Sequence, residues 1–362
     1  MQVLIMAGGT GGHVYPALAV AKEFLSMGHK ICWMGTRSGL EARVVPAHNI
    51  EINWISITGL RRKGIIGWLV APVCLLQALI QALKIIRHQK PAVVLGLGGF
   101  ASGPGGVAAW LLRIPLVIHE QNAAVGMTNK ILSRLAVKVL QAFPATFSPS
   151  LNAEVTGNPV RKDIAGIKPK TAFQDRLNIL IVGGSLGALA INTIVPKALS
   201  RFQTTAMFNI WHQTGSGKLD SVKDDYAKYE IAITEDIATS GIFVTEYIED
   251  MAQAYNWADV LICRAGAMTV FEVAAAGRPA LFIPYPYAVD DHQTANANYL
   301  AEAGGGVLIQ QSELNSKILH KLIKSWLDDK NSLKEMARIA HDKYIKNSAR
   351  LVVNACVGAA LT

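Results

Sequence analysis

The chain has 362 residues, 51% of them hydrophobic and only 17% charged, with 31 glycines. That length exceeds one small core and suits two domains, and the apolar content excludes a disordered protein. A formal net charge of +9 favours anionic partners such as phosphates or acidic lipid headgroups, whereas the interleaved basic and aromatic residues of nucleic-acid binders are missing, so no nucleic-acid partner is expected.

Short apolar runs alternate with longer helical patterns, which predicts α/β architecture: parallel sheets with helices on both faces. In chain order, the first half predicts strands at 3–6, 30–34, 93–95, 116–119 and 138–141, with helices over 15–27 and 127–135. Between them, residues 64–83 contain no charged side chain and are long enough to span hydrocarbon. Pro72 in the middle, Gln77 and Gln81 on one side, and the surrounding α/β pattern favour an interfacial helix instead. It would dip Trp68, Leu69, Leu75, Leu76 and Leu79 into lipid, with Arg61-Arg62-Lys63 and Lys84, Arg87 and Lys90 on an anionic membrane surface; part of it also suits the core.

The second half predicts strands at 178–182, 208–212, 242–245, 260–263 and 280–283, helices over 188–199 and 269–276, and a helical pattern over 347–361. Proline and glycine in Thr156-Gly157-Asn158-Pro159-Val160-Arg161 punctuate the chain, so the expected domains are 1–158 and 159–344. The four cysteines are scattered, form no metal-ligand spacing and read as reduced, buried thiols. With an apolar strand at the very start and no charged leader before it, the expected location is the cytoplasm.

Each half opens alike. Residues 3–7 run into Gly8-Gly9-Thr10-Gly11-Gly12-His13, and residues 179–182 into Gly183-Gly184-Ser185-Leu186-Gly187-Ala188, a weak repeat of strand, glycine turn and helix. A third glycine-rich loop spans residues 96–106. Such turns expose backbone N–H groups and a helix N-terminus, which suits phosphate. Neither opening loop spells G-x-G-x-x-G, and no acid follows the second strand to hold a ribose. Arg37 there keeps an NADP-dependent oxidoreductase as an alternative. No G-K-[ST] follows either turn, which excludes a P-loop, and the adjacent pair Asp290-Asp291 is not spaced to hold a metal.

These loops, together with Gly98-Gly99-Phe100-Ala101-Ser102-Gly103-Pro104, His119-Glu120-Gln121-Asn122, Gly157-Asn158-Pro159-Val160-Arg161, Cys263-Arg264-Ala265-Gly266-Ala267-Met268-Thr269 and Asp291-His292-Gln293-Thr294-Ala295-Asn296-Ala297, closely resemble the MurG family, the peptidoglycan N-acetylglucosaminyltransferases of bacteria. Seven motifs in order cover nearly the whole chain. The resemblance implies a GT-B fold, two Rossmann-like domains facing a deep cleft, with the last helix (about 345–362) crossing back onto the first domain. It implies inverting transfer of N-acetylglucosamine from UDP-N-acetylglucosamine to the 4-hydroxyl of the muramoyl sugar of undecaprenyl-diphospho-muramoyl-pentapeptide, converting lipid I to lipid II. The enzyme would sit peripherally on the cytoplasmic face of the plasma membrane. No cofactor is implied, and helix dipoles with Arg161 would replace a metal's charge.

By the same resemblance the donor lies on the second domain, along Ala267, Met268, Thr269, Val270, Phe271 and Glu272. A carboxylate accepts from two adjacent hydroxyls, so Glu272 suits the ribose; by itself it also reads as an acid complementing a helix dipole. Ser185 suits the diphosphate or, alone, a helix N-cap. Arg161 would stabilise the leaving diphosphate, the backbone of Ile248 would meet uracil, and Gln293 a sugar hydroxyl. On the first domain Thr10, Gly11 and Gly12 would reach the substrates and Asn122 the donor. His13, near a helix N-terminus that disfavours imidazolium, is a candidate general base; it also reads as a loop-bonding histidine, and Glu120 is the rival base. His292 and Phe100 depart from family members carrying glutamine and tyrosine. Another UDP-sugar enzyme of the same fold, such as a 2-epimerase, and a non-catalytic nucleotide-sugar-binding scaffold are the alternatives.

Overall fold

The computed structural model describes residues 1–57 and 64–361; the cluster Arg61-Arg62-Lys63 and the side chains of Trp68 and Leu69 lie outside the described residues. The chain divides into two compact units, Met1–Arg161 with Ile345–Thr362, and Lys162–Tyr344. The first unit thus runs three residues past the expected boundary at Asn158, which is itself buried and donates through Nδ2 to the carbonyl of Gln121 at 2.9 Å.

In the first unit the strands are β1 (Gln2–Met6), β2 (Lys30–Gly35), β3 (Glu51–Trp54), β4 (Val93–Gly96), β5 (Leu116–Glu120), β6 (Lys138–Gln141) and β7 (Glu154–Val155). They form one sheet in the order β3-β2-β1-β4-β5-β6-β7, and every ladder is parallel. Helices cover both faces, so the central strands are apolar throughout: Val3, Leu4, Ile5 and Met6 are all fully buried. One layer packs the helix Gly11–Ser26 and the returning helix Ser348–Leu361, with Val14, Leu18 and Phe24 meeting Val352, Val353 and Cys356 in a single core. The opposite layer holds the helices Gly64–Gln89 and Ser102–Leu111.

The second unit repeats the plan with β8 (Leu177–Val182), β9 (Phe208–Gln213), β10 (Ile242–Thr245), β11 (Val260–Cys263), β12 (Ala280–Phe282) and β13 (Val307–Leu308). Their order is β10-β9-β8-β11-β12-β13, again all parallel. Both orders are of the Rossmann kind. Strand order reverses between β1 and β4 and between β8 and β11, and it is outside the carboxyl ends at such switch points that α/β sheets bind ligands. All four cysteines are free, three of them buried.

Three strands escaped the sequence reading: β3, β7 and β13. Each ends a sheet and none has a fully buried residue pattern, so the apolar runs that reveal central strands are missing. The first helix begins at Gly11 rather than residue 15, since its first turn is built from the glycine loop itself.

Candidate active site

At the switch point of the first unit, the loops after β1 and β4 press together. Gly98 has φ +95, and a Cβ there would stand 2.8 Å from the His13 ring, so only glycine lets the chain pass under the imidazole. Ser102 fastens this loop, donating to the carbonyls of Met6 at 3.0 Å and Gly98 at 2.8 Å. On the other side the carboxylate of Glu41, fully buried, accepts from Gly9 N–H (2.9 Å), Thr36 N–H (2.9 Å) and Thr36 O–H (2.7 Å). With three donors satisfying it, this buried carboxylate acts as a rivet between the loops after β1 and β2.

The exposed Thr10 is the N-cap residue of the helix that follows, with no side-chain capping bond, and Gly11 and Gly12 form its first turn. Half-buried His13 stands beside them, its Nδ1 2.8 Å from Gln121 Oε1. Gln121 belongs to the loop after β5, and through it His13 connects to buried His119, whose imidazole is pushed down to about 4 by burial.

Glu120 is held differently from a base. It is 1% exposed, and its carboxylate accepts from Asn122 N–H (3.1 Å), Gly126 N–H (3.1 Å) and Asn129 Nδ2 (2.9 Å). Those donors close the loop from residue 120 to 126 around it, so Glu120 organises the loop that carries Gln121 and Asn122. Arg161 is half-buried and closes the segment that begins at Gly157. Arg37 lies over the Trp54 ring, 5.2 Å from its centroid.

In the second unit the loops after β8, β9 and β10 are laced by Gln213, buried, which donates to the carbonyls of Gly184 and Glu246, each at 3.1 Å. Gly187, at φ +69, lies backbone against backbone on Thr214, where any Cβ would collide with the carbonyl oxygen. This interlock holds Ser185 exposed at the loop tip. Ser185 is not the N-cap: the helix starts at Leu189 and Ala188 takes the capping position. The side chain of Ile248 is buried in the loop after β10, which leaves its backbone as the part able to meet a ligand.

The helix Ala267–Ala276 starts at the carboxyl end of β11, so the N–H groups of its first turn face that edge of the sheet. Met268, Thr269 and Glu272 are half-buried; the Tyr255 hydroxyl donates to Glu272 Oε2 at 3.0 Å and orients the carboxylate. Ala267, Val270 and Phe271 do not present side chains to a ligand. Ala267 is 6% exposed, and Val270 and Phe271 are fully buried, Phe271 stacked on Tyr299 at 5.6 Å. Gln293 accepts from Tyr285 N–H at 2.9 Å through Oε1, which turns Nε2 outward.

Sequence reasoning missed Arg264. Its guanidinium donates to the carbonyls of Ile283 and Pro284, both at 3.0 Å, and to Gln311 Oε1 at 2.7 Å, tying together the segments after β11, β12 and β13. Burial lowers its pKa, yet a guanidinium stays charged. Among the described residues no group of three or more His, Cys, Asp or Glu is placed to hold a metal ion.

Comparison with known proteins fits this arrangement. Residues 3–141 match the model of the glycosyltransferase family 28 N-terminal domain, and residues 178–352 that of the C-terminal domain. A protein of Methylococcus capsulatus named UDP-N-acetylglucosamine–N-acetylmuramyl-(pentapeptide) pyrophosphoryl-undecaprenol N-acetylglucosamine transferase is 48% identical over 98% of both chains. A transferase of the same name from Alkalilimnicola ehrlichii is also 48% identical, over 99% of this chain and 98% of that one. The crystal structure of Acinetobacter baumannii MurG superposes with a TM-score of 0.83 at 42% identity, covering 99% of each chain. A UDP-GlcNAc 2-epimerase from Neisseria meningitidis shares the fold alone, with a TM-score of 0.67 at 14% identity over 99% of this chain and 100% of that one.

Proposed function

Since this chain belongs to glycosyltransferase family 28, within the MurG family of peptidoglycan N-acetylglucosamine transferases, we infer that it transfers N-acetylglucosamine from UDP-N-acetylglucosamine to the 4-hydroxyl of undecaprenyl-diphospho-muramoyl-pentapeptide, converting lipid I to lipid II. One observation carries this reading: relatives of that name match the chain nearly end to end at 48% identity. The fold is GT-B.

The residue roles are our own assignment. His13 takes the proton of the acceptor hydroxyl at Nε2 while the hydroxyl oxygen attacks the anomeric carbon. The C1–O bond to the diphosphate breaks, its electron pair leaves with UDP, and attack opposite the leaving group inverts the centre. A placed general base contributes roughly 10²–10⁴-fold. Thr10, Gly11 and Gly12 line the acceptor hydroxyl's approach, and Asn122 adds a donor contact. In the second unit Glu272, oriented by Tyr255, accepts from the ribose hydroxyls. The first-turn N–H groups at Ala267, Met268 and Thr269 and the loop at Ser185 stabilise the diphosphate, whose developing charge Arg161 also meets. The backbone of Ile248 reads uracil, and Nε2 of Gln293 reads a sugar hydroxyl. In this reading no metal or cofactor takes part.

We further propose that the enzyme works peripherally on the cytoplasmic face of the plasma membrane. The helix Gly64–Gln89 supports this. Ala71, Ala78, Ala82 and Ile86 are buried against its own unit, while Val73, Leu76 and Ile80 are 66%, 58% and 45% exposed. Lys84, Arg87 and Lys90 follow on the surface. By length and composition Val70–Gln89 could also cross a membrane, but a helix with one face committed to a folded core is better suited to lie in the interface.

The test is UDP release from UDP-N-acetylglucosamine, with and without the lipid-linked muramoyl-pentapeptide. Acceptor-dependent release supports the transferase. Equal release in both arms would indicate a 2-epimerase-like or hydrolytic activity, and binding with no release in either would indicate a scaffold. His13→Ala should lower kcat by about 10²-fold or more with donor KM little changed; full turnover would remove the base assignment.

A further inference from the structure

His13 is one end of a chain of hydrogen bonds whose other end is a backbone carbonyl, and the polarity of every link is determined. His119 is fully buried, with Nε2 3.0 Å from Gly157 O and 3.1 Å from Thr156 Oγ1. A carbonyl oxygen only accepts, so Nε2 of His119 carries a hydrogen. Burial keeps this imidazole neutral, its pKa down at about 4, so its Nδ1 is a bare acceptor.

The next link is Gln121, also buried. Its Nε2 lies 3.0 Å from His119 Nδ1 and 3.0 Å from His119 O. Two acceptors at one end of a side-chain amide require that end to be the NH2 group. The oxygen end is thereby aimed at His13, and Oε1 lies 2.8 Å from Nδ1. Asn158, donating to Gln121 O at 2.9 Å, holds the backbone that makes this possible. An amide oxygen has no hydrogen to give, so His13 Nδ1 must donate.

We propose that Gln121 and His119 are positioning residues that hold His13 as the Nδ1–H tautomer, with the Gly157 carbonyl as reference point, so that Nε2 is the one basic nitrogen. A neutral imidazole free in solution samples both tautomers, and in the other one Nε2 carries the hydrogen and has no lone pair to accept a proton. The relay sets the tautomer with a neutral amide. A carboxylate in the same place would also orient the ring, but would stabilise the imidazolium and leave less free base at neutral pH. The inference deepens the assignment of His13 as general base and rests on that reading for its catalytic meaning, while the proton positions stand on hydrogen-bond geometry alone.

The direct test is 15N NMR of histidine-labelled protein, read through two-bond couplings to the ring protons. Of nine histidines, His13 is identified by the signal lost in His13→Ala. The expected wild-type spectrum shows Nδ1 protonated and Nε2 unprotonated. Gln121→Met, close in size but without amide groups, should leave His13 in a mixture of tautomers and lower kcat by about tenfold or more at unchanged donor KM. An Nε2–H tautomer in the wild type overturns the proposal whether or not the variant folds. So does a Gln121→Met protein that keeps both tautomer and kcat. If the wild-type tautomer is as assigned but His13→Ala turns over normally, the base reading fails and the proton placement stands.

Discussion

Gly98 and Glu272 show how residues of one site differ in what substitution should do. Gly98 supports the His13 ring from below, and alanine there adds a Cβ 2.8 Å from the imidazole at φ +95. Gly98→Ala should tilt the ring and lower kcat about tenfold, at a stability cost of about 1–3 kcal/mol from the strained backbone; donor KM should hardly move. Steady-state kinetics and thermal melting together check this, and unchanged kcat would mean that the ring's placement is irrelevant. Glu272→Ala should do the reverse, raising donor KM by about tenfold or more with a smaller effect on kcat. Calorimetric titration with UDP should show the same loss, and full UDP affinity would remove the ribose assignment. His13 and Glu272 were legible because they sit in contiguous motifs. Glu41, Gln213 and Arg264 were not. Each bonds backbone atoms of loops distant in the chain, Glu41 to Gly9, Gln213 to Glu246 and Arg264 to Ile283, and no local pattern announces such a bond.

Among the elements, the central strands were readable, whereas three of the four edge strands were not; the exception, β10, buries Ile242 and Val244 and so keeps an apolar pattern. A central strand in a parallel sheet is covered on both faces and must be apolar throughout, as Val3–Met6 and Val260–Cys263 are. An edge strand such as Glu154–Val155, exposed at both residues, carries no such demand; it forms because Gln141 and its neighbours offer it a ladder. The helix Gly64–Gln89 is apolar on two faces for two reasons, one of them the core and the other, in our reading, lipid. Pro72 does not interrupt it. Leu76→Asp with Ile80→Asp should reduce binding to anionic vesicles by about tenfold or more in sedimentation assays, since each substitution removes buried apolar area at the lipid and adds a like charge. UDP binding should persist. Undiminished vesicle binding would assign the exposed face to something other than lipid.

For the molecule as a whole, two buried histidines, one in each unit, set a pH limit. Burial lowers His119 to about 4 and His212 to about 3 from an ordinary value of 6.5. Below pH 6.5 the unfolded chain binds protons at these positions that the native protein refuses, so stability is full above that pH and falls as pH drops toward the native values. The slope is roughly 1.4 kcal/mol per pH unit for each group. Urea unfolding at pH 7.5, 6 and 5 should show this decline, and His212→Gln should flatten it in the second unit; a flat profile from 7.5 to 5 would refute it. By itself the sequence determined the doubled α/β plan, the phosphate-suited glycine loops and the family, because strand burial and turn chemistry are written in adjacent residues. Only the tertiary structure decided that Glu120 braces a loop, that Val270 and Phe271 face the core, and which nitrogen of His13 holds its proton. Each of those depends on groups brought together from distant parts of the chain, and hydrogen-bond polarity exists only once they meet.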